Sequence, residues 1–508
     1  VIICIFSYHH IKESLLLPKK YHFPGIILLY LFLQGMYISA FPDSDVDAYV
    51  HFIAARILSQ HPLDLAAHWV WLPFYHYVLV IFVLLGLSFQ TVRLFSVASW
   101  FASALLLRNM VNEKTNEQDS LVTLLAVSFF LFMPTAIVSA SSVEPEAFFT
   151  FLMLASVYNG QKERFWLAGL TLGLACLIRY EAWIMAIAFI LFIWIKQKFS
   201  IRAFFRSGAV WLKIFPALFL AAWFFAKWHF YRDGSAFLTG TKSFAESYTD
   251  VKPEYFFSWL QWLFDATFYM LYIPLLASGP FLYFAYRGVK KTVRHFPLLA
   301  TVSLACLFFI SCAWWFRYTL GLFRHFTVIL PFFSICLSYG LSEQHKKKLA
   351  RLAVLNEEQR ARAARTYSRG RIGFALLVVV LLGIGSVLWK GHLDAFFADR
   401  REMAAAVAAL PDSVSILCCD NTVEIFSNKN ARQFSRLWAD TSAYSVRMLS
   451  QFIAAHPGGY IVLQGNLYAH LRPLLREKTE LQHDTYALWK EDALVLLKIR
   501  AAQTGRPE

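Results

Sequence analysis

The sequence predicts an α-helical polytopic membrane protein: about eleven transmembrane helices, one re-entrant or juxtamembrane helix, and a small C-terminal α/β domain outside the membrane. Three observations carry this expectation. The 508 residues are 58% hydrophobic and 16% charged, with 49 Phe, 23 Tyr and 16 Trp, whereas soluble domains run at about 45–50% apolar and about 25% charged. Apolar runs near the length that crosses a ~30 Å hydrocarbon core recur from Phe23 to Trp389. Past Trp389 the pattern changes to short alternating and amphipathic stretches.

In chain order, spans are expected at 23–41, 93–108, 121–140, 147–160, 165–178, 181–196, 208–227, 259–286, 296–316, 326–341 and 372–389. The first is expected to act as an uncleaved signal-anchor. The segment 73–88 is apolar but short, and Pro73, Tyr75, His76 and Tyr77 head it. Charge decides its place. If it does not cross, and the N-terminus with Lys12, Lys19 and Lys20 is cytoplasmic, the basic clusters fall inside. These are Lys114, Lys162/Arg164, Lys196–Arg206, Arg287–Arg294 and a 343–371 run with nine basic and three acidic residues. If 73–88 crosses, all of them fall outside, against the positive-inside rule. The segment is therefore read as a juxtamembrane or re-entrant helix, allowed where protein covers it.

That topology places the loop 42–92, the turn Ser141–Glu146, the loop 228–258 and everything after Trp389 on the outer face. Arg179-Tyr180-Glu181 and Arg317 to His325 reach the same face. That face is expected to be the periplasmic side of a bacterial inner membrane, or the equivalent lumenal face.

Two domains follow: 1–389 in the membrane and 390–508 outside it. In the tail, Asp399–Leu410 reads as a helix stopped by Pro411-Asp412, and Ser413–Cys419 as a short strand. Ala443–Ala455 reads as a helix and Tyr460–Leu463 as a strand after Pro457-Gly458-Gly459. Tyr486–Trp489 and Ala493–Ile499 read as a closing pair of strands. No phosphate-binding glycine motif lies there. The tail is expected to shape the entrance to a site or stabilise the bundle, so Asn at Asp420 or Asp440 should leave activity at least moderate.

The net charge of +15 does not indicate nucleic acid, because the excess sits in short loops between spans. Seven cysteines form no metal-ligand spacing, and a bridge between adjacent Cys418 and Cys419 would be strained. No H-E-x-x-H, G-x-S-x-G or P-loop supports a protease, lipase or ATPase.

The chemistry points to the acidic stretch Pro42-Asp43-Ser44-Asp45-Val46-Asp47-Ala48-Tyr49. Carboxylates are costly near lipid, so three in five residues at a membrane boundary indicate function. Asp47 and Asp45 are the candidate bases. One alternation apart, they share a face on an extended or turning backbone, while a helix separates them by about 200°. Asp43 is assigned to structure. Tyr49 to Arg56 reads as an interfacial helix, with His51 and Tyr49 as candidate substrate contacts. Arg is the natural partner of a phosphate because its fork donates bidentately.

The stretch Asp45-Val46-Asp47-Ala48-Tyr49-Val50-His51, then Ala54-Ala55-Arg56, His68-Trp69-Val70-Trp71-Leu72-Pro73, Leu85-Gly86 and Val92-Arg93-Leu94, resembles the first outer loop of GT-C fold glycosyltransferases. That superfamily includes protein O-mannosyltransferases, lipid A aminoarabinose transferases and oligosaccharyltransferase catalytic subunits. The pattern covers roughly residues 23–340. It implies a catalytic or metal-binding role for Asp47, with Asp45 as rival, and places Arg93 near the site. The family's second acidic turn is matched by Ser141-Ser142-Val143-Glu144-Pro145-Glu146. There Glu144 would orient acceptor, base or metal, and Ser142 would alternatively cap the next helix.

Arg179 and Glu181 are candidate substrate contacts or simply a pair. Arg317, Arg324 and His325 are candidates for a phosphate head group, with Arg324 favoured. The WWDYG motif of oligosaccharyltransferases is absent: Trp314-Trp315-Phe316-Arg317-Tyr318 lacks its Asp and Gly.

The resemblance implies an inverting transferase of one mannose-like or pentose-like sugar from a polyprenyl-phosphate donor to a protein, lipid or glycan acceptor. No organic cofactor is expected. Metal-independent transfer is preferred, and a divalent Mg or Mn ion held by Asp47, Glu144 and Glu146 is the alternative. The other readings are a metal-dependent oligosaccharyltransferase-like enzyme and, from a different class, a transporter or lipid flippase.

Overall fold

The computed structural model describes residues 22–41, 46–68, 71–115, 120–231, 282–316, 323–353, 397–437, 443–485 and 493–500. Asp43, Asp45, Arg317, Asp440, the span expected at 372–389 and most of that at 259–286 lie outside them. The chain divides into two compact units, Val1–Ala40 with Ile57–Leu382 and Phe41–Arg56 with Gly383–Glu508. The first-loop stretch 41–56 thus clusters with the tail.

The first unit is helical. Its elements are α1 (His22–Ala40), the C-terminal end of α2 (Val46–Gln60), α3 (Pro73–Leu84), α4 (Phe89–Thr115), α5 (Leu121–Phe132), α6 (Pro134–Ala140) and α7 (Glu146–Gln161). These are followed by α8 (Phe165–Cys176), α9 (Glu181–Lys196), α10 (Trp211–Tyr231), α11 (Leu282–His295), α12 (Pro297–Trp315) and α13 (Leu330–Ala353). Among the described residues, four helices are long and apolar enough to cross a membrane: His22–Ala40, Phe89–Thr115, Trp211–Phe230 and Arg324–Lys347.

The span expected as one piece at 121–140 is two helices. Met133 is extended (φ −63°, ψ 140°) and Pro134 opens α6. The proline ring disfavours a helical residue before it and removes an N–H, so the break falls where the chemistry puts it. Helices α11 and α13 meet through two glycines. A Cβ on Gly288 would strike the Cys336 carbonyl and one on Gly340 that of Phe284, so only bare backbones fit.

Helix α3 spans only 12 residues, about 18 Å, short of the ~30 Å core. Pro73 takes its first turn, and Gly86, at φ +71°, makes the reversal into α4. Phe74 lies 6.0 Å from Phe148, while Phe82 lies 5.0 Å from Phe95, which is 5.1 Å from Phe148. Through these rings α3 packs against α4 and α7.

In the second unit a five-stranded sheet has the order β2-β1-β3-β5-β4, with β1 (Ile416–Cys418), β2 (Phe434–Arg436), β3 (Tyr460–Gln464), β4 (Thr479–Asp484) and β5 (Leu494–Ile499). Strands β2, β1 and β3 are parallel; β5 pairs antiparallel with both β3 and β4. Alternate residues face two separate cores. Leu417, Ile461, Leu463, Val495 and Leu497 pack on one side with α16 (Ala443–Ala455) and α17 (Gly465–Leu475). Ile416, Val462, Leu494 and Leu496 pack on the other with Met403 and Val407 of α14, residues 397–408. The period-two pattern of a sheet covered on both faces is complete.

The closing strand pairs with Thr479–Asp484 rather than with Tyr486–Trp489, and 486–489 lie outside the described residues. That edge strand is polar and mostly exposed, as edges are when they must not recruit another chain.

Asp420 is the N-cap of α15 (Asn421–Phe426). One carboxylate oxygen accepts the amides of Thr422 and Val423 at 2.9 and 3.2 Å, and the other takes the Arg400 Nε at 3.0 Å. Both side chains are 5% exposed. Asp420→Ala should therefore destabilise the protein by about 3–5 kcal/mol, the cost of stranding a buried partner, read as a fall in the melting temperature. Asp420→Asn keeps the cap acceptor and should melt between the two. Equal melting of all three proteins would mean that the pair holds nothing.

Candidate active site

Four segments far apart in the sequence meet in the first unit. The turn Ser141–Glu146 precedes α7, whose N-cap position is Pro145 with no side-chain cap bond, so Ser142 is not the cap. Glu146 sits in the first helical turn, where an acidic group is favourable. Arg93, 1% exposed in the first turns of α4, donates its Nε to the Ser141 carbonyl at 2.5 Å and its Nη1 to Gln90 at 2.9 Å. It ties α4 to the acidic turn.

Arg179 follows α8 and opens the short link to α9. It forks onto Glu181 at 3.2 and 2.7 Å and also donates to Glu146. Arg324, in the 3-10 turn Phe323–Ile329 before α13, donates to Glu144 at 2.6 Å and lies 3.9 Å from Glu146. His325 is within electrostatic reach of both arginines. Side-chain exposure is 12% for each arginine and 3–8% for the three carboxylates. Burial works against the charged Arg179, but Glu181 and Glu146 outweigh it and hold its pKa above the ordinary guanidinium value. Among the described residues, the second oxygen of Glu146 is buried without a hydrogen-bond partner.

The end of the first loop closes over this network. The Phe74 amide donates to the Leu177 carbonyl at 2.9 Å, and Tyr75 is buried within electrostatic reach of Glu146 and Glu144. His68 and His76 are fully buried with their Nδ1 atoms 2.8 Å apart, beside Trp223. Burial first, then His76 and Lys227, holds the His68 imidazole well below its ordinary pKa, so it is neutral. The Lys227 ammonium donates to the Leu65 carbonyl at 2.9 Å. Tyr75, His68, His76 and Lys227 were not read as site residues from the sequence. The one signal for them was the cluster of His and aromatic residues heading α3.

In the second unit, Asp47 lies in the first turn of α2 and is partly exposed. The helix begins at Val46, earlier than the expected Tyr49, and the N-terminal dipole favours an Asp there. His51 is 3% exposed and Tyr49 1%. The Tyr49 ring packs edge-on against Phe397 and Phe426, at 5.7 and 5.4 Å. That is a core position. Asp45 and Arg317 are outside the described residues.

Among the described residues, no three His, Cys, Asp or Glu side chains form a group that could hold a metal. In this network three carboxylates, Glu144 and Glu146 of the acidic turn and Glu181 of α9, face two guanidiniums, whose charge repels a divalent cation. Of the set considered for a Mg or Mn ion, Glu144 and Glu146 are engaged by Arg324 and Arg179, and Asp47 belongs to the second unit.

No family model and no curated protein matches the sequence. Solved structures do match. ArnT from Cupriavidus metallidurans bound to undecaprenyl phosphate aligns with a TM-score of 0.60 at 13% identity, over 95% of this chain and 98% of that one. Its apo form gives 0.58 at 14% identity, over 96% and 99%. The Archaeoglobus fulgidus oligosaccharyltransferase with zinc and sulfate gives 0.46 at 12%, over 90% and 72%. Spanning nearly all of both chains, the likeness to ArnT shows that this polytopic helical protein has the GT-C fold its first-loop residues resemble.

Proposed function

We propose that the protein is an inverting glycosyltransferase. It moves a single mannose-like or pentose-like sugar from a polyprenyl-phosphate donor to a protein, lipid or glycan acceptor on the periplasmic face of a bacterial inner membrane. The observation that carries this reading is the shared fold over 95% of the chain with ArnT, a protein solved with undecaprenyl phosphate bound.

Asp47 takes the proton from the acceptor hydroxyl. The freed oxygen pair attacks the anomeric carbon from the side opposite the phosphate, the carbon–oxygen bond to phosphate breaks, and polyprenyl phosphate leaves with the electron pair. Asp45 is the rival base. Glu144 is already engaged by Arg324, so its role in this reading is to hold the acidic turn rather than to take the proton. Arg324 and Arg93 share that role. Glu146 keeps one buried acceptor oxygen for a substrate hydroxyl. Contact with the donor phosphate is assigned to Arg317. His51 and His325 stay as candidate substrate contacts, and Tyr49 is left to packing.

Purified protein in liposomes, given a polyprenyl-phosphate sugar donor and envelope acceptors, should transfer one sugar per turnover and release polyprenyl phosphate. Arg317→Ala should raise the donor KM about tenfold or more, with kcat less affected. Movement of the intact donor across the bilayer without sugar transfer would overturn the reading in favour of a flippase.

A further inference from the structure

Helix α2 has two faces. Tyr49 and Arg56 are seven residues apart, two turns, within about 20° of one line along the helix. Asp47 precedes Tyr49 by two residues and so points about 200° away, onto the opposite face. The Tyr49–Arg56 face is gripped at both ends by the C-terminal domain. Tyr49 enters a three-ring set in which Phe397 and Phe426 also meet edge to face, at 5.9 Å and 73°. Two turns on, the Arg56 guanidinium lies 3.5 Å from Glu424, whose side chain is 1% exposed. Glu424 and Phe426 both belong to α15, the helix capped by Asp420 and anchored through it to Arg400. An isolated helix of this length is marginal in water. The grip at two points about 10 Å apart fixes both its rotation and its axial position.

We propose that the C-terminal domain is the mount that aims Asp47, with Glu424 and Phe426 as positioning residues that act through Arg56 and Tyr49. The inference rests on Asp47 being the base. Under it the tail takes no part in the chemistry, yet it sets the rate, because a misplacement of 1 Å at a reacting group can cost roughly a hundredfold.

The test uses the full-length protein in liposomes. Glu424→Gln and Phe426→Ala should each lower kcat by about ten- to a hundredfold while binding of the donor lipid stays at the wild-type level. Amide exchange should rise across 46–56 and stay slow in strands 460–464 and 494–499. The Arg56→Gln/Glu424→Gln double variant should lose no more than the worse single variant, as for two ends of one link, and Arg56→Lys should recover most of the rate. Normal kcat in Glu424→Gln and Phe426→Ala alongside a dead Asp47→Asn would overturn the mount and leave the base standing. Normal turnover in Asp47→Asn would remove the base and the mount together. Loss of rate accompanied by fast exchange in the strands would assign Glu424 and Phe426 to stability alone.

Discussion

Asp47→Asn is expected to fold, bind donor and transfer sugar about 10²–10⁴ times more slowly, the usual cost of losing a general base. The amide has the shape of the carboxylate and cannot take the proton. Stability should change little. Asp47 is partly exposed in the first turn of α2, and the charge–dipole part of the loss is about 0.3–1 kcal/mol. Transfer measured at saturating donor separates the two effects, because a folding defect lowers the amount of active enzyme and a base defect lowers its turnover. Asp45→Asn is the control for the rival, and Glu144→Gln should lose less than either true base because Arg324 already occupies that carboxylate. Near-normal turnover in both Asp45→Asn and Asp47→Asn sinks the assignment.

The outline of the bundle was readable because lipid imposes it. Length, apolarity and the placement of Lys and Arg marked 147–160, 165–178 and 181–196 close to α7, α8 and α9. The same charge argument put Glu144, Arg179 and Arg324 on one face, and the structure joins Arg324 to Glu144 at 2.6 Å. What the pattern did not reveal was the pairing itself. Residues 180 positions apart in sequence meet only through tertiary packing. Arg324, the arginine favoured for the phosphate, is paired with Glu144.

Tyr49 was misplaced for a different reason. A Tyr beside an acidic stretch looks the same in sequence whether its ring meets a substrate or, as here, Phe397 and Phe426 from the far end of the chain. Pro134 marks its own break in the sequence, where apolarity runs unbroken through 121–140 while the helical backbone cannot. Strand β4 was hidden by its own polarity, TELQHD, which carries no alternation of apolar residues.

Arg179→Met should be the most damaging change outside the reaction itself. The guanidinium bonds both Glu146 and Glu181, on helices α7 and α9, and so ties the two together. Its removal leaves two carboxylates, 3% and 8% exposed, facing each other with Arg324 3.9 Å from one of them as the remaining counter-charge. Stranding a buried charge in this way costs about 3–5 kcal/mol, and the melting temperature should fall by several degrees. If the loss comes from unpaired charge and not from lost packing, neutralising a partner should repair it. Arg179→Met/Glu181→Gln should recover more than half of the lost stability, because Glu146 keeps Arg324 and the amide introduced at position 181 carries no charge to strand. Activity should return with stability in that double variant if Arg179 only holds the turn. A double variant as stable as the wild type but inactive would instead give Arg179 a direct part in binding substrate. A single Arg179→Met variant that melts within about one degree of the wild type, about 1 kcal/mol for a chain of this size, would show that the network does not hold this end of the bundle together.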